Sequence, residues 1–330
     1  MKRILVTGGA GYIGSHTCKA MAMAGYDPVV FDNLSTGHRW AVKWGSFERG
    51  DLCDETLLKR VMDRCRIEAV VHFAANAYVG ESVERPRKYF HNNVMNSLRL
   101  LHAMMDAGID RLVFSSSCAT YGNPQDLPIS EDHPQVPVSP YGESKLFVER
   151  ALNWYDSALR FRSVCLRYFN AAGADPDGEI GECHEPETHL IPLAIGAAQG
   201  WAPPLRVFGT DYDTPDGTAI RDYIHVWDLA RAHVRALQHL ESGGESIQIN
   251  LGTGQGHSVL DVRRAVERFS GDRVPFTERP RRPGDPAVLV ANAERAASVL
   301  GWKPEFVDLS EIVETAWRWH RAEQAVAVAV

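Results

Sequence analysis

The stretch Thr7-Gly8-Gly9-Ala10-Gly11-Tyr12-Ile13-Gly14 follows directly on the apolar run Ile4-Leu5-Val6 and leads into a small-residue segment, Ile13 to Ala24. An apolar run, a glycine turn and a helix in that order leave little choice of fold. Gly8, Gly11 and Gly14 are spaced GxxGxxG. They permit a tight turn, a close backbone approach to a pyrophosphate, and a helix N-terminus facing its charge. A glycine turn that binds nothing is the plainer reading, and the strand-turn-helix context weighs against it. Asp32 ends the next apolar run, 18 positions after Gly14. An acidic residue there takes adenosine ribose hydroxyls and repels a 2′-phosphate, so NAD is expected rather than NADP.

Val29-Val30-Phe31, Val70-Val71-His72-Phe73, Leu112-Val113-Phe114 and Val164-Cys165-Leu166 read as further buried parallel strands. Helical segments lie between them. Asn92 to Ala107 places Val94, Leu98, Leu101 and Met105 at helical spacing, and Ser139-Pro140 suit the cap and first turn of a helix from Tyr141 to about Trp154. The alternation predicts an α/β chain with a Rossmann-type, doubly wound parallel sheet. Residues 1–169 form that NAD-binding part. Residues 170–330, broken by many prolines and glycines, form a smaller C-terminal substrate-binding lobe. Val226 to Leu240 reads as a helix returning to the sheet, so a stretch near 220–250 interleaves the two parts. Residues 324–330 alternate as a strand does, and as a terminus they are expected to fray.

The bulk numbers exclude more than they select. A net charge of -7 over 330 residues argues against nucleic-acid binding by bulk positive charge, so an anionic ligand must be met by placed arginines. Six cysteines without a CxxC pair suit reduced thiols and a cytoplasmic address. The N-terminus runs into the glycine turn without a long apolar region, and no apolar stretch approaches the roughly 20 residues of a membrane span.

Tyr141-Gly142-Glu143-Ser144-Lys145 puts a tyrosine and a lysine four apart on one helical face, behind Ser115-Ser116-Ser117 at a strand end. A phenol ionises near pH 10, so a tyrosine base needs adjacent positive charge. Lys145 and an oxidised nicotinamide ring supply it, and Ser117 is placed to share the proton of a substrate hydroxyl. In the back half, Arg221, Arg282 and Asp285 suit a diphosphate and ribose hydroxyls, since a guanidinium gives paired charge-assisted hydrogen bonds. His184-Glu185-Pro186-Glu187-Thr188-His189 superficially suggests zinc. Its histidines are five apart with a proline between them and do not share a helical face, so no metal is expected.

Jointly, Thr7 to His16, Asp32-Asn33-Leu34, Gly50-Asp51-Leu52, His72 to Ala75, Gly80-Glu81-Ser82, Ser115 to Gly122, Tyr141 to Lys145, Arg167 to Asn170 and Asp216 to Val226 resemble the extended short-chain dehydrogenase/reductase superfamily. Within it they are most similar to the UDP-glucose 4-epimerase family. The resemblance covers nearly the whole chain. It implies catalytic roles for Tyr141, Lys145 and Ser117. It gives NAD the backbone around Gly8, Gly11, Tyr12, Ile13 and Gly14, then Asp32, Asn33, Leu34, Ser35, Thr36 and Gly37. Asp51 and Leu52 flank the adenine, Phe73, Ala74, Ala75 and Asn92 line the cofactor, and Tyr141, Lys145 and Phe169 complete its site. Asn170, His189, Leu190, Arg221, Arg282 and Asp285 hold the UDP portion, with Ser117, Tyr141 and Leu289 near the sugar.

The implied reaction interconverts UDP-glucose and UDP-galactose through a transient 4-keto sugar that swings about its diphosphate. A homodimer through 92–107 and 141–154 is implied as well. Two positions depart from the family pattern: Ala77 stands where a lysine is frequent, and His189 where asparagine is frequent. The stretches 77–80 and 118–121 also resemble UDP-arabinose/UDP-xylose 4-epimerases, so hexose and pentose both stay open. A nucleotide-sugar dehydratase needs a carboxyl pair where this chain has Cys118 and Ala119. A non-catalytic NAD-sensing protein is disfavoured by the intact Ser117, Tyr141 and Lys145.

Overall fold

The computed structural model describes residues 1–282 and 284–328. Seven parallel strands form the main sheet, ordered Ile247–Leu251, Arg162–Tyr168, Arg111–Ser115, Ala69–His72, Arg3–Thr7, Asp27–Asp32 and Ser46–Arg49. Strand direction alternates side chains between faces, and the core follows that period of two. Ile4, Val6, Val30, Val71, Val113, Val164 and Leu166 pack to one side, with Leu229, Leu237 and alanines of the Val226–Glu241 helix and Cys18, Ala20 and Met21 of the Tyr12–Met23 helix. Leu5, Val29, Phe31, Val70, Leu112, Phe114 and Cys165 pack to the other, with the Glu55–Cys65, Asn96–Asp106 and Pro140–Leu159 helices. Both faces are covered, which is why these strands are continuous apolar runs.

The order reverses between Arg3–Thr7 and Ala69–His72, and the crevice at such a switch point lies at the C-terminal ends of the strands. The glycine turn sits there.

The Val226–Glu241 helix and the Ile247–Leu251 strand do return to the main sheet, the strand pairing with Arg162–Tyr168. Smaller pairings make up the rest of the back half. Asn170–Ala172 runs beside Tyr223–His225, Ile220–Arg221 lies between His257–Ser258 and Val288–Leu289, and Leu205–Phe208 pairs with Phe276–Arg279. A separate core under them unites the Leu190–Gln199, Val259–Ser270 and Leu309–Val328 helices through Ile191, Ile195, Val262, Val266, Ile312 and Val313.

Three details differ from expectation. The 92–107 helix opens as a π-helical stretch, Phe90–Met95, before the α-helix Asn96–Asp106. The helix after Ser139 is capped as expected, Ser139 Oγ accepting from the Gly142 amide at 3.2 Å, but continues to Leu159 and stops at Arg160 in the left-handed region. No glycine or proline after Gly142 interrupts it earlier. The alternating tail is helical through Val328, because alanine favours continuation of the preceding helix over a strand; Ala329 and Val330 lie outside the described residues.

Candidate functional site

The glycine turn fits a dinucleotide for a steric reason. Gly8 has φ +71°, and a methyl added there would lie 2.6 Å from the Ala74 amide nitrogen; one added at Gly14 would lie 2.3 Å from the Gly8 carbonyl. Gly11 is the N-cap of the Tyr12–Met23 helix and provides no side-chain cap, so the first amides, at Tyr12, Ile13 and Gly14, face the crevice end of the helix. Asp32 fastens the next strand to this turn, accepting from the Ala10 amide at 3.0 Å and the Leu34 amide at 2.8 Å. Those bonds favour its anion while burial opposes it, and burial prevails, raising its pKa.

The loop beyond, Asn33 to Gly37, folds back on Ala10, with the His38 amide on the Ala10 carbonyl at 2.9 Å. Asn33 Nδ2 donates to Asp51 at 2.7 Å, and Leu34 is half-buried beneath the exposed Ser35 and Thr36. Leu52 is buried beside Asp51. Phe73 and Ala74 amides both donate to the Thr7 carbonyl, which sets 73–75 along the same crevice. Asn92 is half-buried and donates to Asn93 at 3.1 Å.

The Pro140–Leu159 helix presents Tyr141 and Lys145 to the end of the Arg111–Ser115 strand. Lys145 Nζ donates to the Ser115 carbonyl at 2.8 Å and lies 5.9 Å from the Tyr141 ring centre. Ser117 sits beside the phenol and holds the turn that follows, accepting from the Ala119 amide at 3.1 Å. All three are buried. Burial pushes the Tyr141 phenol up to about 12, against the pull of its hydrogen bond with Ser117. Burial also depresses Lys145 to about 7, against the attraction of Glu149. Phe169 packs nearby with Cys118, Tyr121, Ile129 and Ala291, and Leu289 leans on that same cluster.

Leu289 pairs in register with Arg221, which connects the wall of the crevice to the arginine beyond it. Arg221 is nearly buried and ion-paired with Asp285, and it also donates to the Ile220 carbonyl at 2.8 Å. Arg221, Asp285, Arg281 and Arg282 all act on the phenol of Tyr212, so they share one neighbourhood. Arg282 stacks over Phe208 at 4.2 Å. Asn170 begins the short strand beside Tyr223, its amide on the Asp222 carbonyl at 3.0 Å. His189 precedes Leu190, the first residue of the Leu190–Gln199 helix.

The profile of the NAD dependent epimerase/dehydratase family matches residues 4–252. The chain belongs to that family. A UDP-glucose 4-epimerase of Rhizobium meliloti (strain 1021) is 55% identical over 317 residues, 96% of each chain. The crystal structure of UDP-glucose 4-epimerase from Brucella ovis in complex with NAD is 53% identical and superposes with a TM-score of 0.94, covering 96% of this chain and 98% of that one. A Stenotrophomonas maltophila UDP-glucose-4-epimerase with bound NAD and formylated UDP-arabinopyranose is 43% identical with a TM-score of 0.95, over 99% and 100%. The likeness to these relatives thus covers nearly the whole chain and not only the glycine turn.

The fold also gives roles to residues that the sequence left without one. Asn93 is buried and clamps the 76 loop, accepting from the Asn76 amide at 2.8 Å and donating to the Asn76 carbonyl at 2.9 Å and to Ser144 at 3.1 Å. Glu149 and Arg167 form a buried ion pair behind Ser116, which donates to Glu149. Asp222 is fully buried and gathers the amides of Thr253, Gly254 and Ala291.

His184 and His189 stand outside any helix, as their spacing implies. The two rings do not share a helix, yet they meet in a loop with centres 5.2 Å apart, over Glu182 and Glu187. Burial disfavours the His184 imidazolium, but Glu182 and Glu187 outweigh it and raise its pKa to about 10. The same carboxylates raise His189.

Proposed function

We propose that this chain is an NAD-dependent 4-epimerase that interconverts UDP-glucose and UDP-galactose through a 4-keto sugar. The observation that carries the reading is the buried Ser117–Tyr141–Lys145 group, set at the mouth of a dinucleotide-type glycine turn and continuous through Leu289 with Arg221. Gly8, Gly14 and the uncapped helix start would hold the pyrophosphate, and Asp32 the adenosine ribose. NAD held by these residues would supply a reversible hydride acceptor for C4 and a positive charge that favours the Tyr141 phenolate.

Tyr141 removes the proton of the 4-hydroxyl, with Ser117 sharing it, and gives it back after the sugar has presented its other face. Lys145 supports the phenolate by its charge and fixes its own position on the Ser115 carbonyl. Arg221, Arg282, Asp285, Asn170, His189 and Leu190 would anchor UDP, while few contacts restrain the hexose, as a swinging intermediate requires. Residues 1–169 with the returning 226–251 segment serve the cofactor, and the remainder serves the substrate.

A UDP-pentose activity is the second reading, favoured by the Stenotrophomonas relative that holds a UDP-arabinopyranose derivative. We also infer a cytoplasmic homodimer. Support comes from Phe90, Met95, Phe147 and Trp154, large apolar side chains exposed on the helices of 90–106 and 140–159, Trp154 by 76%. The six cysteines are free, as a reducing compartment requires. Among the described residues no helix is long and apolar enough to cross a membrane.

The test is parallel incubation with UDP-galactose, UDP-arabinose and UDP-N-acetylgalactosamine, followed by product chromatography. UDP-glucose should form from UDP-galactose without net NADH. Release of NADH in step with product would identify a net oxidoreductase instead.

A further inference from the structure

The loop from Glu182 to His189 holds four ligand-type side chains that the epimerase chemistry does not require as a group. Nδ1 of His184 lies 3.2 Å from Glu182 Oε1 and 3.6 Å from Glu187 Oε2. Nδ1 of His189 contacts the same Glu182 oxygen. One donor atom from each of the four residues falls within 4.8 Å of every other. Bonds of about 2.0–2.2 Å put the donors of a tetrahedral zinc ion about 3.4 Å apart, and the two His184 spacings bracket that distance.

The four groups are also held in place. Glu187 turns one oxygen to the amides of Thr188 and His189, at 2.7 and 2.8 Å, which leaves the other facing His184. Trp319 donates to the Glu182 carbonyl at 3.2 Å, and His38 contacts the Cys183 carbonyl at 2.9 Å, so both sides of the loop are fixed. Outer hydrogen bonds of this kind orient ligands in metal centres. Glu182 is buried, and His184 Nδ1 is sealed from water without a well-aligned hydrogen bond to either neighbouring carboxylate.

A second acidic cluster provides the contrast. Asp175, Asp177 and Glu179 converge on the ammonium of Lys19, at 2.8, 2.7 and 2.7 Å, so the chain supplies its own cation there. At Glu182 and Glu187 the ion-pair partners are imidazoles.

We propose that Glu182, His184, Glu187 and His189 form a low-coordinate site for a first-row divalent cation of the zinc class, at the rim of the candidate substrate crevice. Two imidazoles with two carboxylates suit zinc or cobalt better than magnesium or calcium, which prefer all-oxygen sites. The inference shares His189 with the proposed UDP anchor, but its readout is the metal itself, so its failure and the failure of the epimerase reading are distinguishable.

The experiment uses tag-free protein with its bound cofactor, cleared of metal by a chelator and titrated with Co²⁺, then with Zn²⁺. One equivalent of Co²⁺ per chain should bind with the intense visible bands of a low-coordinate ion, and Zn²⁺ should abolish them. His184→Gln and Glu187→Gln should each weaken uptake by about tenfold or more, while Asp177→Asn in the lysine-filled cluster should leave it unchanged. Cofactor content and melting temperature report whether the variants fold. Failure of the wild type to take up stoichiometric Co²⁺ overturns the proposal. So does a weak six-coordinate spectrum, a result that needs no variant, and so does equal binding by folded His184→Gln or Glu187→Gln.

Discussion

Tyr141 and Lys145 are fixed by regular structure: a serine-capped helix start sets their height, and the end of a central strand receives the lysine. Arg221 and Asp285, at the other end of the crevice, come from a two-residue strand and a loop 64 positions apart, and they satisfy one another. The Tyr141–Lys145 pair is buried, and burial pushes its phenol up to about 12 and its lysine down to about 7. At the arginine end the two opposite charges meet one another directly. One end is therefore poised for charge to arrive. The other must exchange an internal ion pair for a ligand.

The sharpest way to break this contrast is Tyr141→Phe. It removes the proton acceptor and little volume, so turnover should fall by about 10²–10⁴-fold with NAD and UDP affinity nearly intact. Near-normal turnover would show that the poised end is not the catalytic one. At the arginine end the effect should appear in affinity. Arg221→Lys keeps the charge but loses the planar fork, and hydrogen bonds to charged groups are worth about 1.5–3 kcal/mol, so UDP binding should weaken by about 10–150-fold. Asp285→Asn should cost less, because it frees Arg221 for the diphosphate while removing one acceptor. Calorimetric titration with UDP ranks the two variants, and a larger loss for Asp285→Asn would reverse the assignment of anchor and holder.

Lys145→Met tests the lysine's tuning of the phenol. Without that cation Tyr141 ionises at higher pH, so the rising limb of the pH–rate profile should move up; an unmoved limb would mean the lysine does not tune the tyrosine. A stability readout accompanies it. Lys145 titrates near 7 when folded and near 10.5 when unfolded, so between those values the unfolded chain binds the extra proton. In that window the wild-type group makes the cofactor-free protein more stable as pH rises. Lys145→Met should flatten that part of the curve of melting temperature against pH.

The same contrast explains what could be read from the sequence. Glycines three apart, an aspartate at the next strand end, and a tyrosine and lysine four apart are local patterns, and local geometry fixes what they do. Asp222 gathers amides from residues 31 to 69 positions away, and Arg167 reaches Glu149 across 18, so neither has a local signature. The Ile247–Leu251 strand was hidden by Gln248 and Asn250, whose polarity breaks the apolar run. Asn250 is nonetheless buried, accepting from Tyr121 Oη at 2.7 Å and donating to the Ile129 carbonyl at 2.9 Å. The His184–His189 spacing fits no helical metal motif, and it is a loop that brings the two rings together.

The smallest expected effect lies where the two ends meet. Leu289 stands four residues after Asp285, pairs with Arg221, and leans on Cys118 and Phe169, so it faces both the anchor and the strand end that carries Ser117. The resemblance to UDP-glucose 4-epimerases implies that this place borders the sugar pocket and that a tyrosine there excludes N-acetylated sugars. Leucine is smaller and has no hydroxyl, which leaves room for an acetamido group but offers its amide no partner. An unpartnered buried amide costs about 1–3 kcal/mol, so UDP-N-acetylgalactosamine should be a poor yet measurable substrate, roughly 10–100-fold below UDP-galactose in kcat/KM. Leu289→Tyr should lower the acetylated substrate further and spare UDP-galactose, because the added ring occupies the space that only the acetamido group needs. Equal loss for both sugars would mean that the tyrosine disturbs the Cys118–Phe169 packing instead of narrowing the pocket. No change for either would move the selective wall elsewhere.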